Sequence, residues 1–141
     1  MYIVSACLLG ENVKYNGGNN LTGPVVEFLK DKEYITVCPE TAGGLPIPRV
    51  PSERLKDRVI ARDGKDVTEE FLSGARRCFD EVLKRVDLKD VEGAILKAKS
   101  PSCGSGTIYD GSFSGVTVPG DGVFTELLKS KGIRVMTELD F

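Results

Sequence analysis

The stretch YITVCPETAGGLPIPR, residues 34–49, opens with four strand-forming residues and then delivers a thiol, a proline and a carboxylate into a loop. Those three are Cys38, Pro39 and Glu40. The whole chain holds four cysteines, Cys7, Cys38, Cys78 and Cys103, and no histidine. Without imidazole, proton transfer near neutral pH falls to a carboxylate, a lysine, a tyrosine, a thiol or water. A metal site must likewise draw on thiolate or oxygen ligands. Scattered cysteines in a reducing compartment serve as ligands, nucleophiles or core residues more often than as disulfides.

Spacing narrows the chemistry without deciding it. No Cys-x-x-Cys pair is present, which argues against a thioredoxin-type redox centre and against a closed structural zinc site. Three alternatives stay open for Cys7, Cys38 and Cys103. They are a catalytic zinc with three thiolates and a water, an iron–sulfur cluster with one iron left open, and a nucleophilic cysteine. Glu40 lies two residues beyond Cys38, with Pro39 fixing the backbone between them, and is the natural proton carrier beside such a site. Ser100, Ser102 and Gly104 flank Cys103 and offer hydroxyl and amide donors to a substrate oxygen. Lys97 and Arg49 are candidate cations for a substrate's anionic group. Cys78 falls on an apolar helix face and reads as core.

Positioning these residues requires a scaffold, and the periodicity supplies one. Residues 2–6, 34–37, 92–97 and 133–138 are apolar runs of strand length. Thr22 and Pro24 open a helix to about Asp31, with Val25, Val26, Phe28 and Leu29 facing inward. A second helix is predicted from Thr68 to about Arg85 and a third from Gly122 to Lys131, closed by Gly132. The stretch from Pro39 to Lys56 reads as structureless, and RVIARDGKDVT reads as a small β-hairpin turning at Asp63-Gly64. Strands and helices alternate, so the expected fold is a single α/β domain over residues 1–141. It has a mostly parallel sheet, helices on both faces and the hairpin. Parallel strands share a direction, so Cys7, Cys38 and Cys103 all fall beyond the carboxyl edge, where open α/β sheets build their ligand crevice.

Composition sets the outer bounds. The 141 residues are 40% hydrophobic and 28% charged with a net charge of −2, as in soluble globular proteins. Lys and Arg are dispersed, so a small-molecule partner is expected and a nucleic acid is not. The opening MYIVSACLLG lacks a basic start, and no apolar run reaches the roughly 20 residues of a membrane span. No membrane partner is expected, and the cytoplasm is the expected location.

The segments VSACLLG, VCPE…GGLPIPR, DVTEEFLSGA, AILKAKSPSCGSG, IYDGSFSG and GIRVMTE, in that order, resemble the DUF523 family over essentially the whole chain. Its better-studied members are thiouracil desulfidases. The resemblance implies a [4Fe-4S] cluster held by Cys7, Cys38 and Cys103, with the fourth iron open to a thiocarbonyl sulfur. It implies catalytic roles for Glu40 and for a serine of SPSCG, Ser102 ahead of Ser100. The implied reaction is non-redox: a thiolated pyrimidine, 2-thiouracil or 4-thiouridine monophosphate, reacts with water to give the oxo form and sulfide. A sulfur or cluster carrier without turnover and a three-thiolate zinc hydrolase are the competing readings.

Overall fold

The computed structural model describes all 141 residues and follows the alternating plan. β1 (Tyr2–Ser5) runs into one 3-10 turn (Ala6–Leu9), and after a polar loop α1 (Gly23–Leu29) leads to β2 (Tyr34–Val37). A single helical turn, α2 (Pro39–Ala42), precedes a hairpin of β3 (Ser52–Leu55) and β4 (Arg58–Ala61) and then the long α3 (Thr68–Arg85). β5 (Gly93–Leu96) is followed by a second hairpin, β6 (Thr107–Tyr109) and β7 (Thr117–Pro119). α4 (Val123–Ser130) and β8 (Val135–Thr137) are the last helix and strand.

The four apolar runs pair in the order β2-β1-β5-β8, all parallel. Side chains alternate across this sheet. Ile3, Ile35, Val37, Ala94 and Leu96 join the core formed with Phe71 and Val82 of α3 and Phe124 and Leu128 of α4. Val4 and Ile95 point the other way and pack with Leu8, Val25 and Leu29. The central strands β1 and β5 are thus covered on both faces, which is why they read as continuous apolar runs. β2 lies at the edge and is buried on one face only, leaving Tyr34 and Thr36 exposed.

Three expectations need correction. α1 stops at Leu29, and Val26 is exposed because this short helix turns only Val25 and Leu29 fully inward. The stretch expected to lack structure contains α2 and β3. The hairpin partner of β4 is β3, reached through a turn with Lys56 at φ 57°; across Asp63-Gly64 only an isolated bridge, Ile60 to Asp66, forms. The Asp-Gly turn exists, but the longer ladder lies on the other side of β4.

α3 is the beam on which the Cys38–Glu40 segment rests. Glu69 and Glu70 in its first turn and Lys84 and Arg85 in its last complement the helix dipole. Its backbone meets α2 at two glycines. A Cβ on Gly74 would stand 1.8 Å from the Pro39 carbonyl oxygen, and one on Gly43 would stand 2.0 Å from that of Glu70. Only glycine permits this approach. Gly74→Ala is expected to lower stability by about 2 kcal/mol or more through overpacking, a fall of several degrees in thermal melting. Gly23→Ala, where a Cβ meets open space, is the matched control and should leave the melting temperature nearly unchanged.

The chain enters α3 through Asp66, whose carboxylate accepts from the Thr68 amide (3.0 Å) and hydroxyl (2.6 Å) and pairs with Arg58. The Thr68 bonds, then the Arg58 pair, hold its pKa down at about 2 against an ordinary 3.8. A depressed carboxylate contributes stability that is complete above its unfolded pKa and lost as pH falls through its folded one. Asp66→Asn should therefore melt lower than wild type at pH 7, and the gap should close between about pH 4 and pH 2.

Candidate active site

β1 and β2 are in register to their ends, with Ser5 beside Val37, and Val4 pairs with Ile95 of β5. The segments leaving these strands therefore meet at one edge of the sheet. Cys7 lies in the 3-10 turn after β1, Cys38 directly precedes α2, and Cys103 lies in the turn between β5 and β6. All three line one cavity of about 520 Å³. Cys78 does not line it and is buried in the core, as its helix face predicts.

The carboxylate of Glu40 is fully engaged at the cavity wall. Its Oε2 accepts from Ser102 Oγ at 2.8 Å and its Oε1 from Arg49 Nε at 3.1 Å. Arg49 also donates to the carbonyls of Val13 (3.0 Å) and Pro46 (3.2 Å), and its side chain is only 7% exposed. Ser100 Oγ accepts from the amides of Cys103 (2.9 Å) and Ser102 (3.2 Å) and lies 3.0 Å from Ser102 Oγ. It shapes the turn that presents Ser102. Gly122 fixes that turn from behind, since a Cβ there would stand 2.4 Å from the Ser102 carbonyl carbon.

Burial governs the thiols. It pushes Cys103 up to about 12, against hydrogen bonds from Ser5 and Ser102 that pull down. It also raises Cys7, opposed by a hydrogen bond from Asn20 Nδ2 at 3.4 Å and reinforced by nearby Cys38. In both cases burial is the largest influence. The thiols do not form a site for one ion. Thiolates on a single zinc sit about 3.8 Å apart, and no three Cys, Asp or Glu side chains stand close enough to share a metal ion.

Two of the predicted substrate contacts change character. Gly104 does not line the cavity; its amide donates to the Ser100 carbonyl and its carbonyl accepts from Gly122, so it belongs to the turn's internal scaffold. Arg49 lines the cavity, but its guanidinium is committed to Glu40 and two carbonyls, so it is not a free anion grip. Lys97 is at the wall, paired with Glu138 at 3.0 Å and donating to the Ala98 carbonyl at 2.9 Å. Asn20, Glu138 and Phe113 carry no sequence signal that singles them out. Asn20 sits in the polar loop after Cys7, whose glycines fold it back so that its amide donates to the Cys7 carbonyl at 2.9 Å.

A profile of the 2-thiouracil desulfurase family matches residues 2–140. The chain belongs to this family. It is 36% identical over 148 residues to the uncharacterized protein YbbK of Bacillus subtilis (strain 168), spanning 98% of this chain and 95% of that one. It is also similar to the solved structure of the [4Fe-4S]-dependent thiouracil desulfidase TudS (DUF523Vcz). There the identity is 42% and the TM-score 0.88, over 99% of this chain and 91% of the other. The kinship with DUF523 and the α/β fold expected from the sequence are both borne out.

In this member of the 2-thiouracil desulfurase family, Arg49 and Glu40 form a pair whose side chains are 7% and 16% exposed. Removing one partner strands the other's charge, at a cost of about 3–5 kcal/mol for buried pairs. Arg49→Met should therefore destabilise strongly in denaturant melts, and adding Glu40→Gln should recover most of the loss. A free anion grip on the surface would instead give a change within about 0.5 kcal/mol.

Proposed function

We propose that this chain is a non-redox desulfidase that converts a thiolated pyrimidine, 2-thiouracil or 4-thiouridine monophosphate, to its oxo form with release of sulfide. The observation that carries the proposal is the Ser102–Glu40 hydrogen bond, 2.8 Å, set in the cavity that three cysteines line. The donor set suits an iron–sulfur cluster: three thiols on one cavity, no imidazole in the chain, and each cysteine partly or fully buried. A [4Fe-4S] cluster held by Cys7, Cys38 and Cys103 would supply a soft Lewis acid, an iron without a protein thiolate, for the thiocarbonyl and the departing sulfide.

The reaction consumes water and gives hydrogen sulfide. One C–O bond forms, one C–S bond breaks, and carbon keeps its oxidation state, so no reductant is needed. The protein's own part is the proton. Ser102 Oγ receives a proton from the attacking water as its own passes to Glu40 Oε2, the oxygen it already faces. Arg49 holds Oε1 and fixes the carboxylate in direction. The stored proton then returns from Glu40 to the ring nitrogen or the leaving sulfur, and no histidine is required.

Substrate contacts come from the wall and rim. Lys97 uses two of its three N–H groups on Glu138 and Ala98, leaving one for a ligand. Arg62 and Lys99 line the cavity, are exposed and make no ion pair, which supports a nucleotide phosphate at the mouth.

Anaerobically prepared protein should release sulfide from 2-thiouracil or 4-thiouridine monophosphate. Glu40→Gln, with unchanged iron content, should lose about 10²–10⁴-fold in kcat. A carrier without turnover would not depend on Glu40, so wild-type sulfide release by a fully loaded Glu40→Gln variant would refute its assignment. Cys7→Ser, Cys38→Ser and Cys103→Ser should each lower iron content, and Cys78→Ser should not.

A further inference from the structure

Among the residues lining the cavity, Lys99 and Phe113 hold a positive φ, and Phe113 is the bulky aromatic one. Phe113 lines the cavity from the loop between β6 and β7 and holds φ at 57°. A bulky residue in the left-handed region is a genuine outlier, sustained only where surrounding contacts impose it. Here one carboxylate oxygen imposes it. Glu53 Oε1 accepts from the Gly111 amide at 3.0 Å and from the Phe113 amide at 3.1 Å. Glu53 belongs to β3, on the other hairpin, and the neighbouring Arg54 ties that strand to α4 through the Asp121 carbonyl (2.7 Å) and Glu126 (2.7 Å). The half-buried Phe113 ring is therefore not a loop side chain left to drift; its backbone is traced to the core.

The surroundings indicate what the ring meets. Arg62, also in the cavity wall, lies over the Phe113 ring, 5.5 Å from its centroid, and has no carboxylate partner. An aromatic face beside a delocalised cation is a surface that receives flat, electron-poor heterocycles. We propose that Phe113 is the stacking residue that selects a planar pyrimidine ring for this cavity, with Glu53 as its positioning residue. The proposal rests on the desulfidase reading for the identity of the ring. It adds a specificity element that neither the cysteines nor the Glu40–Ser102 pair supplies: those act on any thiocarbonyl, whereas a flat aromatic wall favours a conjugated one.

The test uses the cluster-loaded protein. Phe113→Ala and Phe113→Leu, each with wild-type iron content and melting behaviour, should raise KM for the thiopyrimidine by about tenfold and leave kcat within twofold. Phe113→Tyr, which keeps a flat ring, should restore the wild-type KM. Glu53→Ala should reproduce the Phe113→Ala shift in KM, also with kcat retained. The protein has no tryptophan, so Phe113→Trp introduces a single fluorophore at the stacking position. Its emission, excited at about 295 nm, should change saturably on titration with uracil, the unreactive oxo product. An unaltered KM in Phe113→Ala, or Phe113→Trp emission indifferent to uracil, overturns the stacking role alone. Wild-type protein that releases no sulfide overturns the desulfidase reading, and the fluorescence titration with uracil or 2-thiouracil still decides the stacking.

Discussion

Parallel pairing of β1 with both β2 and β5 is the constraint on which the chemistry hangs. Each ladder fixes the height at which its strands end, and Ser5 and Val37 finish side by side. The next residues out of the sheet inherit that level, which brings Cys7 and Cys38 to one cavity although the chain separates them by a helix and two loops. The pairing also fixes the faces. A slip of one residue would turn Ile3 and Ala94 away from α3 and send the apolar set to the wrong side. Packing and site geometry are therefore specified by the same hydrogen bonds.

Electrostatics within the cavity follow a consistent pattern. Two cavity cations are neutralised by carboxylates from elsewhere in the chain: Arg49 by Glu40, as a fixture, and Lys97 by Glu138, with one N–H still free. The cations left without acidic partners, Arg62 and Lys99, lie exposed at the rim. Burial raises the thiols of Cys7 and Cys103. Water and charged ligands are thus met at the entrance, and the interior keeps its dipoles oriented by hydrogen bonds such as Ser102 to Glu40.

How much of this the sequence disclosed depended on whether the cause was local. YIVS and GAIL are apolar throughout because both faces are covered, and α3 shows its buried Phe71, Ala75, Cys78, Phe79 and Val82 at helical spacing. Those elements, and the cysteines that come after the strands, could be read directly. SERL could not be recognised as β3, because its charged residues owe their extended conformation to pairing with β4. β6 and β7 span three residues each, too few for any period to register. The Asp63-Gly64 turn was visible, but nothing local says that β4 pairs more fully with the preceding strand. At the site, residue types announced Glu40 and Ser102. The assignments of Arg49 and Gly104 needed distances across the fold, because a guanidinium looks the same whether it awaits a ligand or grips a carboxylate.

The cavity's floor and its mouth have separate structural origins. Thiols, carboxylate and serine stand on the sheet's edge and its immediate turns, where any displacement disturbs the core. Phe113 and Arg62 come from the two hairpin regions, joined to each other by Glu53 and to the body through Arg54. Changing the exposed residues of those ribbons would reshape what enters, while Val59 and Ala61 of β4 stay anchored in the core. Descendants of this architecture can thus acquire new preferences by editing periphery alone, inheriting one reaction intact.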